Sequence, residues 1–167
     1  MKKIKALILD ADGVLTDSRI YITDTGMEIK AFNAKDGHGI KMIMRAGIHV
    51  AIITGRKSKA LQYRAKELGI KHVIENSKDK KKALKKIAAK LGIDTSEIAY
   101  MGDDLVDLPA MAICGLTIAP SDAVDMVRKK VNIVTDNPGG RGSVRQAIEY
   151  ILKSQDLYDK IMEHYVV

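Results

Sequence analysis

Residues 4–17, IKALILDADGVLTD, decide the fold. The aliphatic run IKALIL has no polar alternation, so it fits a strand buried on both faces, the kind found inside a parallel sheet. It ends in Asp10 and Asp12, with Gly13 behind them. Two positions apart on an extended chain, the carboxylates point the same way, and Gly13 lets the backbone curl around a ligand. The basic front of MKKIKALILD and its apolar stretch could suggest a leader, but the run breaks at Asp10 and no small-residue cleavage site follows. It reads as a first strand.

Outward from this strand, IHVAIIT (48–54), KHVIE (71–75), IAYMG (98–102), GLTIA (115–119) and VNIVT (131–135) are separated by helix-length segments. That alternation predicts an α/β fold, a Rossmann-like parallel sheet with helices on both faces. One segment breaks the rhythm. Residues 19–32, RIYITDTGMEIKAF, place two β-prone arms around Asp24, Thr25 and Gly26, which is a hairpin signal, and a helix beginning near Asp36 follows. The last helix of the domain is expected at 142–153. We therefore expect one domain over 1–153 with a hairpin insertion at about 19–32, and a tail, 154–167, whose Leu157, Tyr158, Ile161, Met162 and Tyr165 fall at helical spacing.

At 167 residues the chain suits a single core that buries about two-thirds of its unfolded surface. With 46% hydrophobic and 29% charged residues it has a globular balance. No apolar run approaches the roughly 20 residues that span a bilayer, so a soluble protein with no membrane partner is expected. Cys114 is the only cysteine, which excludes an intramolecular disulfide and a cysteine metal cluster and suits a reducing cytoplasm. The charge of +7 raises the question of nucleic acid. The densest basic run, KDKKKALKKIAAK (78–90), carries Ala83, Leu84, Ile87 and Ala88, followed by Leu91, at helical spacing, so its lysines form the solvated face of an amphipathic helix. With one Phe and no Trp, no nucleic-acid partner is expected.

Ligands of open α/β sheets bind beyond the carboxyl ends of the strands. Four polar sets lie at such places. Asp10 and Asp12 end the first strand; Thr54, Gly55 and Arg56 offer a hydroxyl and backbone N–H groups suited to phosphate oxygens. Lys80 opens the basic helix and can neutralise a phosphoryl group. In GDDLVDLP (102–109), Asp103 and Asp104 complete an oxygen-rich pocket suited to magnesium. Each set has a plain structural reading as a turn, helix entry, solvated charge or cap. Their shared position at the ends of one sheet favours chemistry.

DADGVLTD, TGR, Lys80 and GDDLVD together resemble the haloacid dehalogenase superfamily of phosphatases. KAFNAKDGHGIKM (30–42), AIITGRKS (51–58), NPGGRGSVRQA (137–147) and the hairpin are similar to the 3-deoxy-D-manno-octulosonate 8-phosphate phosphatases, over about Lys3 to Leu152. The resemblance implies Asp10 as a nucleophile forming an aspartyl-phosphate, and Asp12 as the acid and then the base. It implies Mg²⁺ held by Asp10, the Asp12 carbonyl and Asp103, with Asp104 orienting a metal-bound water, and Thr54 and Lys80 on the phosphoryl oxygens. Gly55, Arg56 and Arg64 are the further substrate-binding candidates. Arg64 falls about two helical turns after Arg56, so the spacing places both at the pocket mouth. Asp107 reads equally as a site residue and as a helix N-terminal carboxylate. Ser18 departs from the glycine usual after the first motif, which bears on entry to the hairpin.

The expected activity is release of phosphate from the eight-carbon sugar acid, a step of lipopolysaccharide sugar synthesis. A phosphatase for a nine-carbon sialic-type sugar acid is the alternative; Arg56 and Arg141 stand where such relatives tend to carry Glu. Outside the enzymes, a phosphoacceptor receiver module would have its aspartate at the third strand rather than the first, and a silent scaffold would lack some of the parts present. The hairpin residues Ile20, Ile22, Ile29 and Ala31 form an apolar face that a two-stranded ribbon cannot bury alone. The resemblance implies a homotetramer in which four hairpins meet and a neighbour's segment near Gly139–Gly142 closes the pocket.

Overall fold

The computed structural model describes residues 2–165. Six parallel strands, β1 (Ala6–Leu9), β4 (His49–Ile53), β5 (His72–Ile74), β6 (Ile98–Met101), β7 (Leu116–Ala119) and β8 (Ile133–Val134), form a sheet in the order β5-β4-β1-β6-β7-β8. β1 is central: Leu9 pairs with Ile52 of β4 on one side and Met101 of β6 on the other. A separate antiparallel pair, β2 (Tyr21–Ile22) and β3 (Glu28–Ile29), is the hairpin.

Strand periodicity builds two cores. Leu7 and Leu9 face one layer, with α1 (Ala34–Arg45), α2 (Lys59–Leu68) and α6 (Ser143–Ser154), whose Ile40, Leu61 and Ile148 are buried there. Ala6 and Ile8 face the other, with α3 (Lys80–Leu91) and α4 (Leu108–Met111), packed through Leu84, Ile87 and Met111. A strand buried on both faces has no room for polar alternation, hence the unbroken ALIL. A short α5 (Asp125–Arg128) precedes β8. No described helix is long and apolar enough to cross a membrane.

Helix starts carry their caps. Asn33 accepts from the N–H groups of Lys35 and Asp36, so α1 begins at Ala34, two residues before the sequence signal. Asp36, buried, turns its carboxylate to the Gly142 N–H (3.1 Å) and Arg145 N–H (2.7 Å), tying the start of α1 to that of α6. Beyond α6, α7 (Tyr158–Met162) puts Ile161 into the first core, and the Tyr165 hydroxyl accepts from Arg45 on α1 at 2.8 Å.

Candidate active site

Three adjacent strands, β4, β1 and β6, end beside one another and deliver Thr54, Asp10 and Asp103 to one edge of the sheet. Lys80, the first residue of α3, enters from the side. The cavity they share has a volume of about 530 Å³ and is lined also by Asp12, Ser18, Gly55, Arg56, Ser77, Lys78, Asp104 and Val106.

At its base the Lys80 ammonium lies 2.7 Å from Asp10 Oδ2 and 2.7 Å from Asp107 Oδ1. Asp10 Oδ1 accepts the Ala11 N–H at 2.7 Å, which fixes the carboxylate. Asp107, fully buried, takes four donors: Lys80, the Tyr100 hydroxyl at 2.8 Å, and the N–H groups of Asp103 (3.1 Å) and Asp104 (3.3 Å). Tyr100 is buried in β6, so a strand residue braces Asp107, which in turn holds both Lys80 and the acidic loop. Carboxylate oxygens of Asp10, Asp103 and Asp107 approach within 4.8 Å of one another.

That crowding shapes the protonation. Burial, then the Asp107 charge, pushes the Asp10 carboxyl up to about 6 despite Lys80. Burial, then the charges of Asp10 and Asp107, pushes Asp103 up to about 8. Burial works against the Lys80 ammonium, but Asp10 and Asp107 outweigh it and hold its pKa above the ordinary lysine value. Asp103 Oδ1 is buried and finds no hydrogen-bond partner in the protein. Clustered carboxylates with an orphaned oxygen fit a hard divalent cation, which takes oxygen ligands and removes the repulsion.

The backbone is shaped to let these groups meet. Gly13 has φ 89°, and a Cβ there would collide with the Asp103 carboxylate. Ser18, at φ 65°, adopts the left-handed conformation that costs a side-chain-bearing residue about 1–2 kcal/mol, which accounts for glycine as the common choice there. It also lines the cavity.

Two candidates lie differently from their expected places. Arg64 does not line the cavity: its guanidinium donates to the Asn33 carbonyl at 3.3 Å and pairs with Glu67 at 2.9 Å, over Gly37. Helical spacing was correct, but α1 packs across that face of α2 and takes the side chain. The Asp104 carboxylate turns back to cap the Leu105 N–H at 2.6 Å while still lining the cavity, and Asp107 lies close to Asp10 and Asp103 with its oxygens taken by its four donors. The Gly139–Gly140 backbone packs on this chain's own loop, the Gly140 N–H donating to the Val14 carbonyl at 3.0 Å.

An aspartate after the first strand, a Thr after the next, a lysine and a distal acidic loop lay out a haloacid dehalogenase-like hydrolase, whose family model matches residues 38–115. The 3-deoxy-D-manno-octulosonate 8-phosphate phosphatase KdsC of Yersinia pestis is 45% identical over 153 residues, covering 92% of this chain and 82% of that protein. Its namesake from Escherichia coli is 42% identical over 95% of this chain and 85% of its own length. The crystal structure of the phosphatase from Moraxella catarrhalis, in complex with a magnesium ion, a phosphate ion and a KDO molecule, superposes with a TM-score of 0.95 at 41% identity, covering 98% of this chain and 94% of that one. This chain belongs to the 3-deoxy-D-manno-octulosonate 8-phosphate phosphatase family of haloacid dehalogenase-like hydrolases.

Proposed function

We propose that this protein hydrolyses 3-deoxy-D-manno-octulosonate 8-phosphate to the free sugar acid and phosphate, in the cytoplasm, as a step of lipopolysaccharide sugar synthesis. The observation that carries the reading is the convergence of Asp10, Asp12, Thr54, Lys80 and Asp103 on one cavity. An Asp10 oxygen attacks phosphorus while the bond to the sugar oxygen breaks, and Asp12 gives that oxygen its proton. Asp12, now a carboxylate, takes a proton from the water that attacks the aspartyl-phosphate, releasing phosphate and restoring Asp10. Lys80 and Thr54 hold the phosphoryl oxygens through the transfer, where positioning and electrostatics dominate. Asp10 and Asp103, with the Asp12 carbonyl and Asp104, would hold Mg²⁺, while Asp107, its oxygens taken by four donors, would brace Lys80 and the acidic loop; the bound ion would neutralise charge on the transferring group.

Arg56 supports a substrate bearing a second anionic group. It lines the cavity, and its side chain is about half exposed, within reach of a sugar carboxylate. The test is kcat/KM, with magnesium, for eight- and nine-carbon sugar acid phosphates and for simple sugar phosphates. The eight-carbon acid should be preferred; preference for a nine-carbon acid or for neutral sugar phosphates would refute the assignment. Arg56→Ala should raise KM for the sugar acid at least about tenfold, the loss of a charged hydrogen bond, and raise KM for an ester without a carboxylate much less.

We further infer a closed homo-oligomer, a tetramer, assembled through the hairpin. Ile20, Ile22 (66% exposed), Met27 and Ile29 leave apolar surface exposed on both faces of the hairpin. A monomer mass by light scattering at micromolar concentration, with full activity, would refute the assembly. Ile20→Lys together with Ile22→Lys should dissociate it.

A further inference from the structure

We propose that Lys30, from the hairpin, is the positioning residue that aims Asp12 for proton transfer; this rests on the reading of Asp12 as the acid. Lys30 follows β3 directly, and its ammonium donates to Asp12 Oδ1. Its side chain is only 2% exposed. The same ammonium lies 3.5 Å from Glu28 Oε1, Glu28 accepts from Arg56 Nη2 at 2.8 Å, and Arg56 Nε is 3.7 Å from Asp12 Oδ2. Two carboxylates and two cations thus close a ring at the cavity rim, two from the hairpin, one from the β1 loop and one from the β4 loop. Lys30 is not among the residues lining the cavity, and Lys80 already serves the phosphoryl side, so the buried ammonium has no evident part in holding phosphate.

Burying an ammonium costs several kcal/mol unless its partners compensate. Here the compensation falls on the carboxylate that must act as acid. In a carboxyl group the carbonyl oxygen is the better acceptor, so an ammonium held on Oδ1 leaves Oδ2, toward the cavity's Arg56, as the oxygen turned to the departing ester. With Oδ1 anchored, the carboxyl cannot swing away from the departing ester oxygen. Lys30 neighbours Ile29 in sequence and points to the opposite side of the strand, inward, while Ile29 is exposed. Cross-strand pairing puts Ile29 with Tyr21 on the face away from Lys30, and Ile22, opposite Glu28, on the face Lys30 shares.

The signature of lost acid positioning is sensitivity to the leaving group. Phosphoryl transfer forms the Asp10–phosphorus bond, breaks the phosphorus–ester bond and sends the electron pair to the ester oxygen, which takes the Asp12 proton. A poor leaving group needs that proton; 4-nitrophenolate needs it little. kcat/KM ends at this first transfer and is blind to the later hydrolysis in which Asp12 also acts, so it isolates the effect. For Lys30→Met, kcat/KM for phenyl phosphate should fall about 10²-fold, in the range of general acid catalysis, and at least tenfold more than for 4-nitrophenyl phosphate. Lys30→Arg should recover most of the difference. Equal losses on both esters, or no loss on either, would overturn the role. If Lys30→Met does not fold, as judged by circular dichroism, the neutral but polar Lys30→Gln decides: a shifted ratio between the two esters supports the proposal and an unchanged ratio overturns it. The aryl esters do not depend on the sugar acid assignment, so failure of that assignment would be seen separately.

Discussion

Asp10→Asn should abolish turnover, by on the order of 10⁴-fold or more in kcat, in a protein that remains folded. The amide keeps the shape of the carboxylate and can still accept the Ala11 N–H. It cannot attack phosphorus, and it offers a cation a weaker oxygen. The fold should tolerate the change because Lys80 keeps Asp107 at 2.7 Å, so the buried ammonium is not left alone. The variant also loses one of three crowded carboxylates, which offsets part of the lost ion pair. Acid quenching with radiolabelled substrate reads the chemistry directly: wild type should retain covalent phosphate and the variant none. Near-native turnover by Asp10→Asn, or covalent label at another residue, would remove Asp10 from the role of nucleophile.

What could be read from the sequence divides along a physical line. Strand ends were legible because ALIL, VAII and IAYM are short and close to wholly apolar, and parallel topology then forces Asp10, Thr54 and Asp103 to one edge. Side-chain direction on helices and loops was less so. Arg64 has the right period for the cavity, but its fate depends on α1, whose packing across α2 is a tertiary fact. Asp107 was ambiguous between cap and site because it is both: its carboxylate caps the turn through the N–H groups of Asp103 and Asp104 while holding Lys80 and Tyr100. Lys30 left a signal that went unused. In a hairpin whose Ile29 and Ala31 share one face, the residue between them must face the other way, toward its own domain. Ser77 and Lys78 line the cavity from the loop before α3, where nothing in composition sets them apart from neighbouring polar residues.

Without metal, the protein should lose stability as pH rises, and magnesium should return it. Asp103 titrates at about 8 and Asp10 at about 6 in the folded protein, both above the ordinary carboxylate value near 4, through burial and mutual repulsion. A group whose folded pKa is raised contributes stability that is fully present below its unfolded pKa and is lost as pH climbs through its folded pKa. For Asp103 the window is therefore about 4 to 8, at a slope of up to about 1.4 kcal/mol per pH unit, amounting to a few kcal/mol in all. The positive net charge works in the opposite sense, since added protons at low pH increase self-repulsion. Comparison with Asp103→Asn cancels that background. In EDTA the variant and wild type should have similar urea midpoints near pH 5, and the variant should be the more stable by a few kcal/mol at pH 8. Saturating magnesium should raise the wild-type midpoint strongly at pH 8 and weakly at pH 5, where protons compete for the same oxygens, and should leave the variant nearly unmoved. Parallel curves for the two proteins in EDTA would mean that Asp103 is not held against its charge. An undiminished magnesium response in Asp103→Asn would place the ion elsewhere. The first outcome would also remove the orphaned Asp103 oxygen as the reason for this site to take a cation, because an unstrained carboxylate has little to gain from one.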